Sequence, residues 1–129
     1  MRLKKIKSRK YALIIDDDVS TVEFIQHAMK YHDFIDFIPA YDGSTGLELY
    51  KKYQPGLVIT DIVMPNMNGI ELINILQNEV ISPSIWAITG SCSKSIMADL
   101  INLLDDKILL KPFGLEEIDR LVDMSFRTC

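Results

Sequence analysis

The chain has 129 residues, enough for one domain to bury a core without disulfide or metal staples, and its 48% hydrophobic and 25% charged residues exclude disordered, fibrous and membrane-spanning classes. Six of the 14 basic residues (Arg2, Lys4, Lys5, Lys7, Arg9, Lys10) fall in the first ten positions, which leaves 8 against 18 Asp and Glu, so the body carries about −10 and is a poor match for nucleic acid. No apolar run nears the roughly 18–20 residues of a membrane helix, and Cys92 and Cys129 form neither a disulfide framework nor a metal spacing, so a cytoplasmic protein without membrane insertion is expected.

Residues 1–10 read as a solvated basic arm and residues 11–129 as one domain. A first strand is predicted at Tyr11–Ile15, followed by the acidic run Asp16, Asp17 and Asp18. Ser20–Tyr31 then places Val22, Ile25, Ala28 and Met29 at helical spacing. Asp36–Ala40 predicts the second strand, and Ser44–Tyr53 the second helix, with Leu47 and Tyr50 on one face and Leu49 less regular. Leu57–Thr60 and Gly69–Asn78 form the third pair. Ile85–Thr89 and Ser93–Leu104 form the fourth, with Ser93 suited to cap its helix. Lys107–Leu110 and Leu115–Phe126 form the fifth, separated by a stop at Pro112. Near-continuous apolar strands alternating with amphipathic helices predict a parallel sheet covered on both faces. Five such pairs with short connections point to a flavodoxin-like (βα)₅ doubly wound fold, strand order 2-1-3-4-5.

In such sheets ligands bind outside the carboxyl ends of the strands, near the switch in strand order. The first strand runs into Asp16-Asp17-Asp18, the third into Asp61, the fourth ends in Thr89 and the fifth leads to Lys111. In the predicted order these four strands are neighbours, so carboxylates, a hydroxyl and an ammonium converge on one edge. An acidic run by itself reads as a turn or helix start, because carboxylates complement a helix dipole. Crowded carboxylates resist joint ionisation unless a cation sits among them. Oxygen ligands without His or Cys select Mg²⁺, with Mn²⁺ able to substitute. A lysine opposite the cation completes a clamp for a phosphoryl group, with Asp61 as nucleophile.

From Tyr11 to Phe126 the chain resembles the receiver domains of two-component response regulators, including the single-domain chemotaxis type. Asp16-Asp17 matches the family's acidic pair, and the stretch from Asp61 through Met64, Pro65 and Met67 to Gly69 matches its DxxMPxMxG phosphorylation loop at every fixed position. Thr89-Gly90 matches the switch threonine, and Lys111-Pro112-Phe113 the KPF element. The resemblance implies Asp61 as phosphoacceptor, Asp17 as a direct Mg²⁺ ligand, Asp16 acting mainly through water, and the Val63 backbone carbonyl as a further ligand. It implies that Lys111 and Thr89 contact the phosphoryl oxygens, that Asp18 lies just outside this shell, and that the bond before Pro112 is cis, which a prolyl bond tolerates. The donor histidine would belong to a sensor histidine kinase or histidine phosphotransfer protein. The activity would be a single self-catalysed phosphotransfer with self-dephosphorylation, not enzymatic turnover.

Two departures from the family pattern stand out, at three positions. Ile108 stands where an aromatic residue usually rotates, which implies an atypical output. Val63 and Ser91 offer no amide or carboxylate to orient an attacking water, which implies a long-lived aspartyl phosphate. Ile96, Met97, Leu100, Ile101, Leu103 and Leu104 form a broad apolar stripe on the fourth helix. Core packing is its first reading. If part of it is exposed, the fourth helix, fifth strand and fifth helix form the face for an output partner or a homodimer. His27 and His32 are read as surface or packing residues and Trp86 as core. Two other readings compete: a pseudo-receiver that only binds a partner, and a haloacid-dehalogenase-like phosphatase with Asp16 as nucleophile. The shortness of the chain and the phosphorylation-loop motif oppose the second.

Overall fold

The computed structural model describes residues 10–64, 66–90 and 93–126. Apolar runs become strands and amphipathic runs become helices in strict alternation: β1 (Lys10–Ile15), α1 (Val19–Met29), β2 (Ile35–Ala40), α2 (Gly43–Tyr53), β3 (Leu57–Asp61), α3 (Gly69–Gln77), β4 (Ser84–Thr89), α4 (Lys94–Leu104), β5 (Ile108–Leu110) and α5 (Leu115–Phe126). All strand pairs are parallel, in the order β2-β1-β3-β4-β5. The expected fold is therefore present. Most of the basic arm, Pro65, Ser91, Cys92 and Cys129 lie outside the described residues.

Side chains alternate across the strands, and this period of two divides the core into layers. Ala12, Ile14, Ile59, Trp86 and Ile88 pack against Val22 and Ile25 of α1 and Leu121 and Val122 of α5. Leu13, Ile15, Val58 and Ala87 pack on the other face against Tyr50 of α2, Leu72 and Ile73 of α3, and Leu100 and Leu104 of α4. Each such Leu or Ile stabilises the fold by roughly 1.5–3 kcal/mol on burial. Truncating Leu13 to Ala would cost about 2–5 kcal/mol, because both strand neighbours leave little room to collapse.

Polar residues set the helix starts. Asp18, Asp42, Asn68 and Ser93 each accept a backbone N–H from the first turn of α1, α2, α3 and α4. The Asp18 cap brings Val19 into α1, one residue earlier than predicted. Strand β5 is shorter than predicted for an equally local reason. Asp105 adopts φ 60° and ψ −115°, and the turn is closed by Lys107 N–H donating to the Leu104 carbonyl at 3.1 Å. Lys107 is thus used by the turn, and the strand begins at Ile108. The α4 stripe divides: Leu100 and Leu104 are buried, whereas Ile101 is 51% exposed. His27 is exposed, Trp86 is core, and His32 packs edge-on to Phe34 with its Nε2 3.0 Å from Asp119 Oδ1 of α5.

Candidate functional site

The registers Ile15↔Thr60, Asp61↔Ile88 and Thr89↔Leu110 bring the carboxyl ends of β1, β3, β4 and β5 side by side. Asp16 is fully buried directly after β1, anchored by its own N–H donating to the Ala40 carbonyl at 3.1 Å. Its Oδ1 accepts the Asp18 N–H at 2.9 Å, and its Oδ2 lies 3.2 Å from Lys111 Nζ. That approach is an ion pair without the alignment of a hydrogen bond, so Oδ2 is a buried oxygen with no aligned hydrogen-bond donor. Asp61 is half-buried at the end of β3. Its Oδ1 accepts the Ile62 N–H at 2.7 Å, and its Oδ2 stands 3.9 Å from the same ammonium.

Asp16, Asp17 and Asp61 each offer a carboxylate oxygen, and these atoms lie within 4.8 Å of one another. Asp18 does not join them. Its carboxylate caps α1, accepting from Ser20 N–H, Ser20 Oγ and Thr21 Oγ1. The acidic run thus splits into two residues aimed at the site and one that starts a helix. Hydrogen bonds from Ser20 and Thr21 hold the Asp18 carboxyl below its ordinary value. Asp16 is pushed up, first by burial and further by the Asp61 charge, against the opposing Asp18 N–H and Lys111. Burial opposes charge on Lys111, but Asp16, Asp61 and Asp18 together outweigh it and raise its value. An all-oxygen carboxylate cluster containing one buried, donor-free oxygen fits a hard divalent cation.

The loop after β3 holds Asp61 in place. It folds back so that the Gly69 N–H donates to the Ile62 carbonyl at 2.8 Å, and Asn66 takes φ 75°, a left-handed conformation that asparagine tolerates. A Cβ at Gly69 would run into the Asp61 carbonyl oxygen and come within 2.7 Å of Ile62 Cα, so only glycine permits this return. Val63, the second residue after Asp61, is 66% exposed. Thr89 is buried, and its carbonyl accepts the Lys111 N–H at 2.9 Å, which ties the ends of β4 and β5. The Lys111–Pro112 bond is cis, as the resemblance implies. An open cavity of about 260 Å³ beside it is lined by Ser20, Thr21, Phe24, Lys111, Pro112 and Phe113. Ile108, opposite Ala87, is half-buried against the α2–α4 face of the core.

A doubly wound five-stranded sheet with an acidic cluster facing a lysine at its carboxyl edge defines the class of protein. Residues 12–123 match the response regulator receiver domain, and the chain belongs to that family. It is 31% identical over 106 residues to the response regulator ArlR of Staphylococcus saprophyticus, covering 82% of this chain and 47% of that one. It is 28% identical over 110 residues to the DNA-binding response regulator MtrA of Mycolicibacterium paratuberculosis, covering 85% and 48%. The chain spans about half the length of these relatives. Among solved structures, the receiver domain of the Francisella response regulator 1452 matches at 27% identity and TM-score 0.79, over 94% of this chain and all of that one. The chemotaxis response regulator CheY4 of Vibrio cholerae shares the fold, with 21% identity, TM-score 0.78 and coverage of 92% and 100%. The family match over residues 12–123 is to receiver domains and gives the haloacid-dehalogenase-like reading no support. Among the described residues no helix is long and apolar enough to cross a membrane.

Sequence reasoning passed over two contacts. The approach of Gly43 to Met67 gives no local pattern beyond the Asp-Gly pair at a helix start. The His32–Asp119 link joins residues 87 apart in sequence, a pairing that periodicity does not signal.

Proposed function

We propose that this receiver domain accepts a phosphoryl group on Asp61 in a reaction that requires Mg²⁺ or Mn²⁺. The observation that carries the reading is the approach of one ammonium, Lys111 Nζ, to both Asp16 Oδ2 and Asp61 Oδ2 beside a three-carboxylate cluster. Asp17, Asp61 and the Val63 carbonyl would hold the cation directly, and Asp16 through water. When bound, the cation supplies positive charge that offsets the crowded carboxylates and the incoming phosphoryl oxygens.

Asp61 Oδ1 is engaged by the Ile62 N–H, which leaves Oδ2 to act as nucleophile. Oδ2 forms the new O–P bond while the donor's P–N bond to imidazole breaks. The departing nitrogen keeps the electron pair and takes a proton from solvent. Lys111 stabilises charge on the phosphoryl oxygens, and Thr89 hydrogen-bonds them afterwards. The donor is a histidine kinase or phosphotransfer protein in the cytoplasm, and small acyl phosphates can replace it. Water is poorly oriented at Val63, so the acyl phosphate is long-lived. The transfer is a single self-catalysed event per molecule, within one receiver unit (residues 11–129) preceded by a basic arm.

Output runs through the face formed by α4, β5 and α5, where Ile101, Leu110 (59%) and Leu115 (48%) are exposed. That face takes an output partner or a second copy of the chain. Sedimentation equilibrium with and without a phosphoryl mimic tests the second possibility, and an unchanged monomer would argue against it. Ile108 cannot swing as an aromatic ring would, so coupling to this face depends on movement of the Thr89 loop. The pseudo-receiver alternative lacks support because every phosphorylation residue is present. Incubation with acetyl phosphate and Mg²⁺ tests the reading: wild type should gain about 80 Da, one phosphoryl group, and Asp61→Asn should not.

A further inference from the structure

The first turn of α2 reaches across to the phosphorylation loop, at a contact outside the residues assigned above. Gly43 is the first residue of α2 and is buried against Met67. A Cβ there would lie 2.5 Å from the Met67 carbonyl oxygen, 2.8 Å from Met67 Cβ and 3.2 Å from its carbonyl carbon. The first two distances are too short for any real Cβ contact, and neither a carbonyl oxygen nor a Cβ moves by side-chain rotation, so the loop or the helix itself must shift. Glycine is not needed at this position for its dihedral freedom, since no glycine among the described residues has positive φ. It is needed for space.

The turn itself is held firmly. Asp42 caps α2, its Oδ1 accepting the Thr45 N–H at 2.8 Å and its Oδ2 the Thr45 Oγ1 at 3.1 Å. On the other side, Met67 lies between Asn66, with its left-handed backbone, and the Asn68 cap of α3. The Gly69 N–H then closes the loop on the Ile62 carbonyl. Two capped helices thus grip the segment that runs from Asp61 through Val63 to Gly69. A push on Met67 is therefore passed to its neighbours in the loop, which is held at β3 by the Gly69–Ile62 hydrogen bond and at α3 by its capped first turn.

We infer that Gly43 is a positioning residue for the metal and phosphoryl site: its missing side chain lets α2 seat the loop that bears Asp61 and Val63. The inference rests on the phosphoacceptor reading of that loop. Gly43→Ala should weaken binding of Mg²⁺ alone, measured by titration calorimetry, by about 10- to 100-fold, the range for second-layer support of metal ligands. It should also speed exchange of the Gly69 amide hydrogen, a readout that needs no metal. Tyr50→Phe is the comparison: it loosens the far end of α2, where the hydroxyl donates to the Ile81 carbonyl at 3.2 Å, and should leave both readouts at wild-type values. Asp42→Ala, which frays the same first turn without adding atoms, should lower Mg²⁺ affinity by a smaller factor and serves if Gly43→Ala does not fold. Wild-type affinity and wild-type Gly69 exchange in Gly43→Ala, or in Asp42→Ala where only that variant folds, would overturn the inference. Equal loss in Tyr50→Phe would also overturn it, by assigning the effect to general loosening of α2. Absence of Mg²⁺ binding by the wild type would overturn the phosphoacceptor reading itself, and the inference with it.

Discussion

Lys111 Nζ lies 3.2 Å from Oδ2 of Asp16, a carboxylate with no solvent exposure, on a lysine whose side chain is 27% exposed. The pair joins the ends of β1 and β5, which are not adjacent in the sheet, across the site. Removing the lysine leaves a buried charge without its partner. Lys111→Ala should therefore destabilise the metal-free protein by about 1–2 kcal/mol, less than a fully buried pair would cost because water reaches the lysine. Saturating Mg²⁺ should recover part of that loss without restoring phosphoryl uptake. Urea denaturation with and without Mg²⁺ measures the first effect, and intact mass the second.

The same carboxylate makes stability depend on pH. Burial, and then repulsion by Asp61, hold Asp16 above its ordinary value of 3.8. Stabilisation from a group raised in this way is complete below the ordinary value and is lost as pH rises through the folded-state value. Asp18 runs the other way: held below 3.8, it contributes above that value and is lost as pH falls through its lower folded-state value. Asp16→Asn should consequently melt a few degrees higher than wild type at neutral pH in chelator. The difference should shrink towards acid and narrow or reverse in Mg²⁺. A pH series of thermal melts on the two proteins reads the difference directly.

Asp105 holds φ 60° with ψ −115°, a conformation suited to glycine at the second position of a tight turn. Asp105→Gly should raise stability by about 1 kcal/mol, the relief of strain exceeding the added chain entropy. A higher urea midpoint with unchanged slope would show it.

Much of the fold was legible because each strand is a compact apolar run and each helix carries its own period. The site was legible for a related reason: Asp16, Asp61, Thr89 and Lys111 fall at corresponding strand ends, so the predicted strand order alone makes them neighbours. The acidic run divides, with Asp16 and Asp17 in the carboxylate cluster while Asp18 caps a helix. What was hidden is tertiary. Nothing in Asp105-Asp106 signals a glycine-type turn, so the apolar run alone extends the predicted strand back to Lys107. The exposure of Ile101 beside buried Leu100 depends on how α4 seats on the sheet, which periodicity alone leaves open. The fit of Gly43 against Met67 depends on two loops that meet only after folding.

Val63 is 66% exposed, so it can be changed without disturbing the core. Its aliphatic side chain gives an attacking water no hydrogen-bond partner. Once the phosphodonor is removed, the acyl phosphate of the wild type should decay over a period much longer than seconds. Val63→Asn, which supplies an amide, should shorten its lifetime by about ten-fold, a modest fraction of what a well-placed orienting group can give. Time-resolved intact mass after donor removal distinguishes the two. Decay of the wild type within seconds would refute the expectation of a long-lived phosphate.

The central claim is that Asp61 takes the phosphoryl group with the help of a divalent cation held beside it. Its most direct test is proteolytic mapping of the protein after acetyl phosphate treatment, with borohydride reduction to mark the acyl phosphate, in Mg²⁺ and in chelator. The mark should fall on Asp61 alone and only in Mg²⁺. A mark on Asp16 or Asp17, or one that forms equally in chelator, would contradict the claim.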